Sequence, residues 1–129
     1  MAYRYLTVSE VVFLHDGECG PTPVDSALLE SAVGRPQASA FGEDAYETLH
    51  LKVAALFYSL CENQAFEDGN KRTAVLAAYA MYGLNGCLLG QATTELVDLA
   101  FAIAAHDADV HKVAEVLEAL VQPLPDLSE

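Results

Sequence analysis

Between Lys71 and Leu84 the sequence offers almost no polar face: Ala74-Val75-Leu76-Ala77-Ala78-Tyr79-Ala80-Met81-Tyr82 is apolar at every position. Asp68-Gly69-Asn70 precedes this stretch and Asn85-Gly86 follows it, which predicts one helix from Lys71 to about Leu84 with a turn at each end. A helix that is apolar all round has to be covered on every side. It falls short of the ~20 residues a membrane span needs, and Gly83 interrupts its apolar run, so the cover must come from the chain's other helices.

Those helices are legible. Thr7-Val8-Ser9-Glu10 has the spacing of a capping box and leads into Val8, Val11, Val12 and His15, until Gly17 and Gly20 end the segment. After the loop Gly20-Pro21-Thr22-Pro23, Asp25 caps a short helix bearing Leu28, Leu29, Ala32 and Val33, which Gly34-Arg35-Pro36 stops. Residues 38–43 read as a loop around Phe41. A long helix is expected from Asp44 to Asn63, with Leu49, Val53, Leu56, Phe57 and Leu60 inward and Glu47, Lys52 and Glu62 outward. Thr93 or Thr94 opens the next helix, and Asp107 or Asp109 caps the last, which carries Val110, Val113, Val116, Leu117 and Leu120. Tyr3–Tyr5 and Cys87–Leu89 are the stretches that could form short strands. The expected architecture is an all-α helical bundle around the central buried 71–84 helix, one domain over residues 1–122, with 123–129 as a flexible C-terminal tail.

Charge narrows the function. Six Lys+Arg against nineteen Asp+Glu among 129 residues give a net charge of −13, which argues against binding a nucleic-acid backbone. At 53% hydrophobic residues the chain can still build a core, so general disorder is excluded. Cys19, Cys61 and Cys87 form no Cys-x-x-Cys and read as reduced thiols. With no apolar signal core near Met1, the expectation is a soluble cytoplasmic chain with no membrane partner.

Two of the six cations, Lys71 and Arg72, are adjacent at the entry to the central helix, where unpaired N–H groups and the positive end of the helix dipole lie. Gly69 and Asn70 tolerate the backbone angles that let successive N–H groups converge on an anion. Asp68 would repel a bare anion, but fits a divalent cation bridging a carboxylate and phosphates. On the residues alone a second reading stands beside this one: an ordinary interhelical turn with Asp68 as N-cap.

The stretch Phe66-Glu67-Asp68-Gly69-Asn70-Lys71-Arg72 resembles the signature of the Fic/Doc superfamily, His-x-Phe-x-Asp/Glu-Gly/Ala-Asn-Gly/Lys-Arg, and Lys71 matches its Doc (death-on-curing) toxin branch. Residues 5–15, Leu28–Pro36, Val53–Leu56 and Asn85-Gly86 resemble further landmarks of that family. The resemblance implies a helical Fic/Doc fold and a toxin held inactive by an antitoxin protein. It implies ATP and Mg²⁺ as cofactors and phosphoryl transfer to a hydroxyl of elongation factor Tu. It further implies Asp68 as metal ligand, Gly69, Asn70 and Lys71 along the phosphates, Arg72 on phosphate and transition-state charge, and Phe66 as the loop's anchor. The alternatives are AMP transfer to protein, and a catalytically dead module that binds an antitoxin.

Gln64 stands where the family has its histidine, the expected general base. A glutamine amide can hydrogen-bond a hydroxyl but cannot take its proton near neutral pH. Gln64 therefore reads as a change introduced to disarm a toxin, as a natural loss, or as a variant drawing its base from Glu62 or Glu67. Gln64, Asp68 and Arg72 are the candidate catalytic residues. His15 reads as a hydrogen-bonded core histidine, and His50 as solvent-facing or at a helix contact. His106 and His111 lack metal-ligand spacing. Arg35 is expected to tie to Glu30 or to border the substrate groove. The first helix and the Pro21–Pro23 loop are the expected antitoxin groove.

Overall fold

In the computed structural model, which describes residues 2–123, two fifteen-residue helices form the centre. α1 (Val8–Cys19) and α2 (Ser26–Gly34) come first, followed by a 3₁₀ turn at Arg35–Gln37 and a hairpin of β1 (Ser39–Ala40) and β2 (Glu43–Asp44). α3 (Leu49–Asn63) and α4 (Asn70–Leu84) are the central pair; β3 (Cys87–Leu88), α5 (Thr93–Ala104), α6 (Val110–Leu120) and β4 (Gln122–Pro123) complete the order. α4 is the apolar helix of the sequence, and α3, α1, α5 and β3 cover it. α3 buries nine of its residues against seven for α4, because α2, α5 and α6 all lie on it too. The core is thus built on a helical hairpin, and the apolar run of α4 is covered except along Leu76, Tyr79 and Ala80, which stay partly exposed. No described helix is long and apolar enough to cross a membrane.

The caps form where the side chains allow. Glu10 N–H donates to Thr7 Oγ1 (3.2 Å) and Thr7 N–H to Glu10 Oε1 (2.9 Å), while Asp25 and Asp109 cap α2 and α6. α3 starts at Leu49 rather than Asp44, because Thr48 takes the cap by accepting from Leu51 N–H (3.1 Å). Asp44 itself enters the hairpin, whose register pairs Ser39 with Asp44 and Ala40 with Glu43, and residues 45–48 lead from it to the helix. Its turn, Phe41 (φ 55°) and Gly42 (φ 79°), is left-handed at both positions, as a two-residue hairpin needs. Phe41 at the tip is wholly exposed. Strands of two residues leave no alternation to read.

Three further expectations change. Pro123, assigned to the tail, pairs with Cys87 in the antiparallel β3–β4 ladder; the rest of the expected tail, 124–129, lies outside the described residues. Lys52, placed on the outer face of its helix, has a side chain with 0% exposure. Its Nζ donates to Asp44 Oδ2 at 3.1 Å and lies over the rings of Tyr3 and Tyr5 at 5.5 and 5.7 Å. Burial lowers the ammonium's affinity for its proton. Bonds to Asp44 and Tyr5 outweigh that and leave the lysine raised above its ordinary value. Arg35 bonds Tyr46 Oη (2.8 Å) and Ser59 Oγ (3.0 Å) rather than Glu30, so both ends of the hairpin segment are tied to α3. His50 Nδ1 meets Tyr82 Oη at 2.8 Å, a contact between α3 and α4; burial first, then the nearby Cys87 and Glu118, pushes the Tyr82 hydroxyl well up.

Asp44→Asn removes the carboxylate facing Lys52. Asp44 is more than half exposed, so water offsets part of the loss. The expected destabilisation is about 1–2 kcal/mol, below the figure for a fully buried pair. Thermal unfolding of the variant checks it.

Candidate active site

Six residues, 64–69, carry the chain from α3 into α4, and every fixed point of that link is made behind it. Gln64 ends α3 in the left-handed region (φ 51°, ψ 48°). Beyond it the link runs beside the Pro21–Asp25 segment: Val24 and Phe66 form an antiparallel bridge, Asp25 N–H donates to Ala65 O (2.8 Å), and Glu67 N–H donates to Pro23 O (3.0 Å). Asn70 closes the turn. Its Oδ1 accepts from Phe66 N–H (3.0 Å) and its Nδ2 donates to Phe66 O (2.7 Å).

Phe66 is the buried anchor, 3% exposed. Its ring stacks on His15 of α1, with centroids 3.8 Å apart and planes 4° from parallel. His15 is fully buried, Nδ1 2.9 Å from Asp16 Oδ1 and Nε2 2.7 Å from the carbonyl oxygen of Asp68. A carbonyl oxygen only accepts, so Nε2 is the donor in that bond. Gly69 comes next at φ 87°, and a Cβ there would meet Cys19 Sγ at 2.5 Å and His15 Nε2 at 3.2 Å. Conformation and space both require glycine at this point.

The N-cap of α4 is Gly69, not Asp68, and no side chain caps the helix. Asp68 instead accepts from Gly69 N–H on its own Oδ1 (2.9 Å), and its carboxylate is exposed. Thr73 turns its N–H (2.9 Å) and its hydroxyl (2.8 Å) onto Gly69 O. Among the described residues, the N–H groups of Asn70, Lys71 and Arg72 have no hydrogen-bond partner. They open on a cleft of about 270 Å³ lined by Cys61, Gln64 and Glu67 through Arg72. Lys71 and Arg72 form no ion pair among the described residues, although acids outnumber cations by nineteen to six. The Lys71 ammonium lies over the Phe101 ring at 5.3 Å.

The cleft thus brings together all of the sequence-predicted site residues: Gln64, Asp68, Gly69, Asn70, Lys71 and Arg72. The Asn70 side chain is engaged behind the turn, so only its N–H is left to face a ligand. Of the two carboxylates weighed as a substitute base, Glu67 lines the cleft and Glu62 does not. A second, apolar groove of about 410 Å³ adjoins it, sharing Lys71 and Arg72 and running between α4 and α5 over Val75, Leu76, Tyr79, Val97 and Phe101. The first helix adds only Glu18 to this groove. The Pro21–Pro23 segment lines none of it.

A sequence model of the Fic/DOC family matches residues 5–82. The chain belongs to the Fic/DOC family. Toxin Doc of Mycolicibacterium smegmatis is 43% identical over 95 residues, which cover 72% of this chain and 73% of that protein. Protein kinase doc of Escherichia phage P1 is 28% identical over 122 residues, covering 91% of this chain and 95% of that one. The matched span runs from α1 to the last turn of α4 and so contains the whole cleft and the histidine behind it.

Sequence reading missed Cys61 as part of the cleft wall, and it missed that His15 and Cys19 form the back of the loop. Helical spacing places His15 on an inner face, and nothing in it tells which loop the ring will meet. Burial pushes the Cys61 thiol up to about 12, with the Lys71 charge opposing and Glu62 adding to the rise.

Two outcomes are expected. Gly69→Ala destabilises the chain by about 1–3 kcal/mol through its left-handed backbone and the crowding at Cys19, read as a lowered Tm. In the native chain Cys61, buried and with its thiol pKa raised, resists iodoacetamide at pH 8 and labels fully on unfolding; mass spectrometry of the peptides distinguishes the two.

Proposed function

We propose that this chain is the toxin of a toxin–antitoxin pair, built to transfer the terminal phosphoryl group of ATP to a hydroxyl of a translation factor, with elongation factor Tu the expected target. The reading rests on the open first turn of α4: three free N–H groups and two cations without acidic partners, in a strongly acidic chain. Such an arrangement favours a polyphosphate over a neutral guest. The names of the two relatives support it further, one a toxin and the other a protein kinase.

In this reading the N–H groups of residues 70–72 and the side chains of Lys71 and Arg72 hold the phosphate tail, and Arg72 stabilises the charge that develops as the terminal P–O bond breaks. Asp68 would hold Mg²⁺ through its exposed carboxylate, which Gly69 N–H orients by donating to Oδ1. The metal supplies neutralising charge to the phosphates when bound. Gln64 orients the attacking hydroxyl through its amide and leaves the proton without an acceptor at that position, so transfer is slow or absent. Glu67, in the same cleft, is a carboxylate able to take it. The α4–α5 groove is the seat for an apolar antitoxin segment, placed where an occupant also meets Lys71 and Arg72. Gln64 itself favours a second reading, a member that binds nucleotide and antitoxin and no longer turns over.

Incubation with γ-labelled or α-labelled ATP, Mg²⁺ and elongation factor Tu separates these. Gln64→His is expected to raise γ-label transfer about 10²–10⁴-fold over the present chain, and Asp68→Asn or Arg72→Ala in that background to abolish the gain. Label arriving only from the α position makes the chain an adenylyltransferase, against which Lys71 in place of glycine counts. A folded Gln64→His chain that transfers nothing, yet binds its antitoxin, makes it a binding module.

A further inference from the structure

The fully buried histidine behind the loop has a role beyond filling the core. In a trans peptide the carbonyl and the N–H point in opposite directions. The Asp68 carbonyl is turned back onto His15 Nε2 at 2.7 Å, so the Gly69 N–H is turned outward, where Asp68 Oδ1 meets it. Rotating that one peptide by half a turn would aim its oxygen at the cleft side. The change falls on the backbone angles of Asp68 and Gly69, and a glycine at φ 87° is equally at ease near −90°. On the glycine side, backbone sterics do not choose between the two orientations. Hydrogen bonds choose: the Asp68 carbonyl to His15 on one side and the Gly69 N–H to Asp68 Oδ1 on the other.

We propose that His15 is the positioning residue of this cleft: by donating from Nε2 to the Asp68 carbonyl it locks the Asp68–Gly69 peptide with its oxygen away from the open N–H groups of α4. The proposal rests on the reading of that turn as a phosphate cradle and explains how its open N–H groups stay clear of a carbonyl oxygen. The ring is held for the task from two sides: Phe66 stacks on its face, and Asp16 Oδ1 sits 2.9 Å from Nδ1 and fixes its rotation. α1 buries only Val11 and His15, so this contact is a large part of what the helix brings to the interior.

Two variants separate the donor from the ring. His15→Leu and His15→Gln both lose the stack on Phe66, and only the glutamine keeps an N–H that can reach the Asp68 carbonyl. The probe is ATP with Mg²⁺, followed by titration calorimetry on the full chain. The amide signals of Gly69 and Asn70 are followed by NMR without nucleotide, and thermal unfolding verifies that each variant is folded. Leucine is expected to weaken Mg·ATP binding about ten- to a hundredfold and to shift the Gly69 and Asn70 signals, with glutamine restoring both to within about threefold and near the original positions. A folded leucine variant that binds as tightly as the parent with its Gly69 signal unmoved overturns the lock. A glutamine variant that fails as badly as leucine overturns it as well, since the ring and not the bond would then be what matters. If the parent chain itself binds no Mg·ATP, the cradle reading falls, and the Gly69 signal by itself decides whether the peptide is held by His15.

Discussion

A helix start exposes amide hydrogens that water, a cap or a ligand must satisfy, and in α4 the protein leaves them open by fixing the preceding link from the rear. Asn70 grips both polar groups of Phe66, Phe66 stacks on His15, and His15 takes the Asp68 carbonyl. Each bond consumes a group that could otherwise have folded over the helix end. What is left facing outward is a row of amide hydrogens, flanked by the cations of Lys71 and Arg72 and by the carboxylates of Glu67 and Asp68. An acidic surface repels polyanions at a distance, so in the proposed function attraction has to come from the amides and cations of this small area.

The surrounding architecture serves that opening. α4 carries the open turn at its start and packs against α1, α3 and α5, which fix that turn in place. α1 contributes the histidine, and the Pro23–Asp25 segment supplies the short bridge beside Phe66. The hairpin around Phe41 is tied at its base through Lys52 to Asp44 and through Arg35 to Tyr46. Both tethers end on α3 side chains or reach across to them, so the hairpin and the link share one support.

Much of this was legible before any coordinates. The run Ala74–Tyr82 dictated a buried helix, Thr7–Glu10 and Asp25 announced their caps, and the Asp68–Arg72 cluster marked the site. The failures have physical causes. Thr48 and Asp44 are both plausible starts for α3, and periodicity cannot say that Asp44 is wanted by Lys52 instead. A lysine at an outward helical position is read as solvated until a neighbouring segment supplies Tyr3, Tyr5 and a carboxylate to enclose it. Two-residue strands leave no pattern. Of the cleft, the cradle was readable because it lies in one contiguous segment. Its back wall was not, because His15 and Cys19 arrive from more than forty residues away.

The left-handed backbone at Gln64 has an evolutionary corollary. That conformation is uncommon for residues other than glycine, and histidine is among the side chains enriched in it. An imidazole therefore fits the end of α3 without any rearrangement of the turn. Glutamine and histidine codons differ only in their third base, so a single transversion separates this chain from one bearing histidine at position 64.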